Sequence, residues 1–168
     1  MYKNFSALLA LIMVLFSCSS DKNDAIVEQE VALNAIIGTW DATELVIDNN
    51  TASDDAKFGK QILDFLTNKD CYIVTLQFNE DLTATASNSA NYVEINATST
   101  GLDIPCPTQT DEESSIYTFD GSIISIVDTN GDTVLVDVSI DGAIMMVDAA
   151  DLEIPDFTDS GQLIFVKR

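Results

Sequence analysis

Any chemistry this chain performs must come from carboxylates and thiols, because it holds 28 Asp and Glu, three Cys and no His. Without imidazole, Ser-His-Asp and Cys-His catalysis and His-ligated zinc or iron are excluded. No Cys-x-x-Cys spacing and no glycine-rich phosphate loop occurs, which removes dithiol redox chemistry and a phosphate cradle. Asp128-Thr129-Asn130-Gly131-Asp132-Thr133 approaches a calcium loop. Thr133 stands where the EF-hand needs glycine, however, and no Glu follows at the twelfth position, so the stretch reads as a hairpin turn. Asp148, Asp151, Glu153, Asp156 and Asp159 form a denser acidic group. It reads as a solvated loop, with Ca²⁺ binding as the alternative. Among 28 acids nothing singles out a pair for glycoside hydrolysis, and a carbohydrate-active enzyme stays only as a third reading. The residues therefore point to a non-enzymatic protein, with no catalytic residue, metal or cofactor implied.

What remains is apolar. Tyr72, Phe78, Tyr117, Phe119, Met146 and Phe165 are the candidates for lining a ligand cavity. Small eight-stranded barrels are also filled by their own side chains, and the same six then read as core.

The elements that hold these residues are strands. Between Ser115 and Asp148, four apolar runs are separated by Asp120-Gly121, Asn130-Gly131 and Asp141-Gly142. Such pairs signal two-residue type I′ turns, with φ > 0 at both central positions, and predict a four-stranded antiparallel meander. Earlier strands are expected over Ile36–Asp48, Cys71–Phe78 and Leu82–Ser87, with a weaker one over Tyr92–Thr98 and a last one over Gln162–Arg168. Ser99 to Glu113 reads as a loop. Phe58, Ile62, Phe65 and Leu66 recur at helical spacing within Ser53–Lys69, behind the acidic turn Ser53-Asp54-Asp55. This helix packs on the barrel or serves as a lid over its mouth. The expected fold is all-β: an antiparallel up-and-down barrel of eight or nine strands, with one short helix inserted after the first. Closure removes exposed edges, and a two-sheet sandwich is the alternative.

Charge narrows the partners. Seven bases oppose the 28 acids, and no Lys or Arg lies between Cys71 and Val166. Nucleic acid is excluded, since its phosphates demand the opposite sign.

The N-terminus reads as a leader. Lys3 precedes an apolar run from Leu8 to Phe16, too short to span a bilayer and of the length of a secretory signal core. Leu15-Phe16-Ser17-Cys18 resembles a bacterial lipobox, whose cysteine is lipidated and begins the mature chain. The polar run after it resembles the acidic tether of Bacteroidetes surface lipoproteins. The resemblance implies a signal peptide over 1–17, a lipidated tether over 18–33 and a barrel domain over 34–168, anchored to the outer membrane through Cys18. An ordinary signal peptide or an uncleaved anchor is the alternative. With Cys18 spent on lipid, Cys71 and Cys106 remain as an even pair in an oxidising space, and a disulfide is expected.

Gly38-Thr39-Trp40 resembles the Gly-x-Trp signature of lipocalins. The sequence of features is similar to that of lipocalin-like lipoproteins of Bacteroidetes: lipobox, Gly-Thr-Trp strand, insertion, Cys-led strand, looped Cys, Tyr/Phe-Asp-Gly hairpin and short last strand. The resemblance implies that Gly38 and Trp40 sit at the closed base of the barrel, with Arg168 or Lys167 over the indole. It implies a membrane-anchored protein whose partner is a small apolar or amphipathic ligand. The alternative is a filled barrel acting as a non-catalytic interaction module for an envelope protein.

Overall fold

Alternating apolar and polar residues build ten strands among the described residues. They are β1 (Gly38–Val46), β2 (Val74–Phe78), β3 (Thr83–Asn88), β4 (Asn96–Thr98), β5 (Gly101–Asp103), β6 (Asp111–Phe119), β7 (Ile123–Val127), β8 (Thr133–Asp141), β9 (Ile144–Asp148) and β10 (Gln162–Lys167). The structure is a computed structural model and describes residues 30, 32–99, 101–128, 130–152 and 160–168. Eight strands close an antiparallel barrel in chain order, β1-β2-β3-β6-β7-β8-β9-β10, with β10 returning to β1. β4 and β5 form a separate two-stranded sheet. The barrel is the up-and-down form, not the sandwich, because the first and last strands pair from Trp40 with Lys167 to Val46 with Gln162. A bulge between Ala42 and Glu44 shifts this register, as bulges do where a strand bends.

One face of each barrel strand points inward. Trp40, Tyr117, Phe165, Met145 and Val147 are essentially without solvent contact, and Phe78 and Phe119 are nearly so. Each large side chain taken out of water contributes about 1.5–3 kcal/mol. The interior between these residues is filled, and its aromatic pair, Phe78 and Tyr117, meets edge to face at 5.0 Å.

The inserted helix, α1 (Asp54–Thr67), starts where Ser53 Oγ accepts the Ala56 N–H at 3.1 Å. Such a cap satisfies one of the donors left free at a helix start. Asp54 and Asp55 lie in its first turn, and Ala56, Ile62, Leu63 and Leu66 are buried.

Three local expectations are corrected. The first and third meander turns are not type I′: Gly121 and Gly142 have positive φ, whereas the Asp before each does not. Asp120 and Asp128 instead fold their carboxylates back onto the turn, taking the N–H groups of Ser122 and Ile123, and of Asn130 and Asp132. At the third turn Asp141 pairs with Ile144, so Gly142 and Ala143 form the loop and only its first residue is left-handed, as type II′ requires. Tyr92 to Thr98 is not one strand but a 3₁₀ turn (Ala90–Tyr92) followed by the three-residue β4. The stretch after Ser99 is not all loop, since β5 and the first third of β6 lie within it.

Candidate functional site

The two ends of the barrel differ. At the end where β1 begins, Trp40 is fully buried, and its indole N–H donates to the Ile36 carbonyl at 2.6 Å. The cation over its ring is Lys167, with Nζ 5.1 Å from the ring centroid and 3.0 Å from the Ala35 carbonyl that it also bonds. Arg168 does not stack on the indole. It ties the same end by another route: its guanidinium lies 3.1 Å from Asp41, which also accepts the Thr75 hydroxyl at 2.8 Å. Asp41 is the one charged side chain buried among the described residues. Gly38 has φ +135°, a conformation that favours glycine, and a Cβ there would lie 2.6 Å from the Lys167 Cε.

At the opposite end, where β1 finishes and β10 starts, the filling stops. A cavity of about 380 Å³ opens there. Ala42, Leu45 and Leu163 form its floor, Ile73 and Val74 one wall, and Ala90, Val93 and Ile95 another. The roof is α1, through Asp55, Ala56, Phe58, Gly59, Ile62 and Leu63. Phe58 and Ile95 are nearly half exposed and stand at the rim. Asp55 is the only charged residue among those that line the space.

The roof is pinned at one end. Cys71 and Cys106 are joined by a disulfide with their Cα atoms 5.8 Å apart. Cys71 does not open β2, as the sequence suggested, but lies in the link after α1, where its N–H bonds the Leu66 carbonyl at 3.0 Å. Lys69 caps the same corner, lying 4.2 Å above the Phe65 ring and donating to the Ile104 carbonyl at 3.2 Å. These ties hold the C-terminal end of α1. The cavity lies under its N-terminal half, from which Lys60 reaches Glu44 of β1 in a surface ion pair at 3.9 Å.

None of the six residues proposed from the sequence lines this cavity. Phe78, Tyr117, Phe119 and Phe165 fill the barrel below it. Burial, with the Asp81 charge nearby, raises the Tyr117 hydroxyl above its ordinary pKa, and that hydroxyl donates to the Asn79 carbonyl at 3.1 Å. Met146 points outward, because strand alternation turns its neighbours Met145 and Val147 inward. Tyr72 sits half-buried ahead of β2. The residues that do form the site carried one signal, the small pair Ala56 and Gly59 on the inner face of an otherwise bulky amphipathic helix.

A second hollow, of about 360 Å³, lies beside the disulfide between residues 91–94 and 105–109 and is mostly polar. Of the acidic group, Asp148 accepts the Ala150 N–H at 3.0 Å and Asp151 the Asp137 N–H at 3.4 Å, so both serve the backbone. Glu153, Asp156, Asp159 and the lipidation candidate Cys18 lie outside the described residues.

No protein-family model matches this chain, and no curated protein matches it. Among solved structures, the chain is similar to a lipocalin-like protein from Bacteroides uniformis, at 13% sequence identity and a TM-score of 0.39. That match covers 80% of this chain and 99% of the other.

Proposed function

We propose that the protein is an envelope lipoprotein, held at the outer membrane by acyl chains on Cys18, which binds a small apolar or amphipathic ligand beneath α1. The observation that carries this reading is the cavity. Its volume of about 380 Å³ falls in the range of small-molecule sites, about 300–1,000 Å³, and its walls are apolar as such sites are. A roof fastened by the disulfide at one end, with the exposed Phe58 and Ile95 at the rim of the cavity, suits a ligand that enters and leaves beside its other end. The anchor is supported by Leu15-Phe16-Ser17-Cys18 behind a short apolar run, and two or more acyl chains suffice for stable attachment.

Two experiments test the two halves. Native mass spectrometry of the full chain carrying Cys18→Ser, which keeps acyl chains from competing for the cavity, is expected to find a retained small molecule. Adding Gly59→Leu puts a large side chain on a residue that lines the cavity, where a Cβ has room without a clash, and is expected to abolish retention. Equal retention by both forms would sink the binding site. For the anchor, labelled palmitate should enter the wild-type chain and not the Cys18→Ser form; labelling of both, or of neither, contradicts it.

A second reading has its own support. Ile116, Val127 and Leu135 are exposed by 67%, 49% and 59% on the outer face of three successive strands. That strip favours contact with an envelope protein, and the filled lower barrel would serve as its scaffold.

A further inference from the structure

The walls of the cavity also discriminate by charge. Each of the five described bases is engaged away from it. Lys57 pairs with Asp54, and Lys60 with Asp64 and Glu44. Lys69 covers Phe65, Lys167 covers Trp40, and Arg168 pairs with Asp41. None of them lines the cavity, whose single charged lining group is Asp55. Asp55 is exposed at the rim and forms no ion pair with any described residue. The net formal charge of −21 adds a field of the same sign.

Among the described residues, a carboxylate or phosphate head would therefore find no cation lining the cavity and would meet the like charge of Asp55, whereas an ammonium head would find a carboxylate that no described base pairs. We propose that the cavity takes a single-chain cationic amphiphile, its alkyl chain against Leu45, Ile62 and Leu63 and its ammonium at Asp55. This rests on the binding reading above and names the class of ligand for the same site. The acidic surface alone favours cations at long range; the local claim is that Asp55 supplies a separable part of the preference.

The test compares dodecylammonium, dodecanol and dodecanoate, below their micellar concentrations, as competitors of the neutral probe N-phenyl-1-naphthylamine on the full chain carrying Cys18→Ser. Dodecylammonium is expected to bind about tenfold more tightly than dodecanoate, with dodecanol between them. Asp55→Asn, a change at an exposed helix position, should weaken dodecylammonium about threefold and leave dodecanol unchanged. Dodecanoate binding as tightly as dodecylammonium would overturn the proposal while leaving the cavity reading intact. So would an Asp55→Asn variant with the wild-type preference, since the selection would then belong to the whole surface. Failure of all three to displace the probe, or displacement undiminished by Gly59→Leu, overturns the proposal together with the binding reading.

Discussion

Single residues decide how the barrel base is fastened. Asp41 is a buried carboxylate whose charged partner is Arg168, the last residue of the chain. Hydrogen bonds to charged groups contribute about 1.5–3 kcal/mol, and removing one side leaves the other uncompensated. Because the guanidinium itself is largely exposed, Arg168→Met should fall near the lower end, a loss of about 1–2 kcal/mol measurable by urea unfolding. The turn aspartates set the acid response. The carboxyl of Asp120 is held below its ordinary pKa by the backbone N–H of Ile123 and then by that of Ser122; that of Asp128 is held below it first by the N–H of Asp132. A group whose pKa is lower when folded stabilises fully above its unfolded pKa, about 3.9 for Asp, and loses that contribution as pH falls through the folded value. Thermal unfolding from pH 6 to pH 2 should therefore steepen below about pH 4, and less so in Asp120→Asn, which keeps the turn but does not titrate. Identical slopes would contradict this origin. The Gly-x-Trp motif was legible from its residue types, but the choice between Lys167 and Arg168 was not. Both are adjacent cations, and only the register of β10 against β1 puts one over the indole and the other beside Asp41.

At the scale of elements, α1 and its disulfide form one unit. The Cys71–Cys106 bond closes a separation of 35 residues, for which chain entropy gives about 3–4 kcal/mol. Replacing both cysteines with Ala should lower stability by about that amount in chemical unfolding. It should also speed amide exchange in the last turn of α1 more than in β8, whose pairing it does not touch. Uniform acceleration across the chain would show that the bond acts on global stability alone. The hairpins were readable because an Asp-Gly or Asn-Gly pair marks a reversal whatever its dihedral class. The class itself depended on whether the aspartate turned back onto its own backbone, which three-residue links at Asp120 allow and a strict two-residue turn does not. The stretch from Tyr92 to Thr98 misled because Val93, Ile95 and Ala97 alternate with polar residues as a half-buried strand would. Val93 and Ile95 turn to the cavity instead, and β6 takes the place beside β3.

For the whole molecule, closure of the barrel was foreseeable and its empty end was not. Short sequential strands leave few other ways to hide their edges. The cavity, by contrast, is made where residues near 45, 60, 74, 93 and 163 converge, and no local pattern records how far apart they stay. Four of the six large residues that looked like ligand contacts, Phe78, Tyr117, Phe119 and Phe165, are ones that packing draws into the filled base. The small ones, Ala42, Ala56 and Gly59, leave the room. The most direct test is calorimetric titration of dodecanol into the full chain carrying Cys18→Ser, with and without Gly59→Leu. The cavity account predicts one site per chain and a negative heat-capacity change, both lost in the filled variant. An unchanged titration in the filled variant, or no saturable binding in the parent, would contradict it.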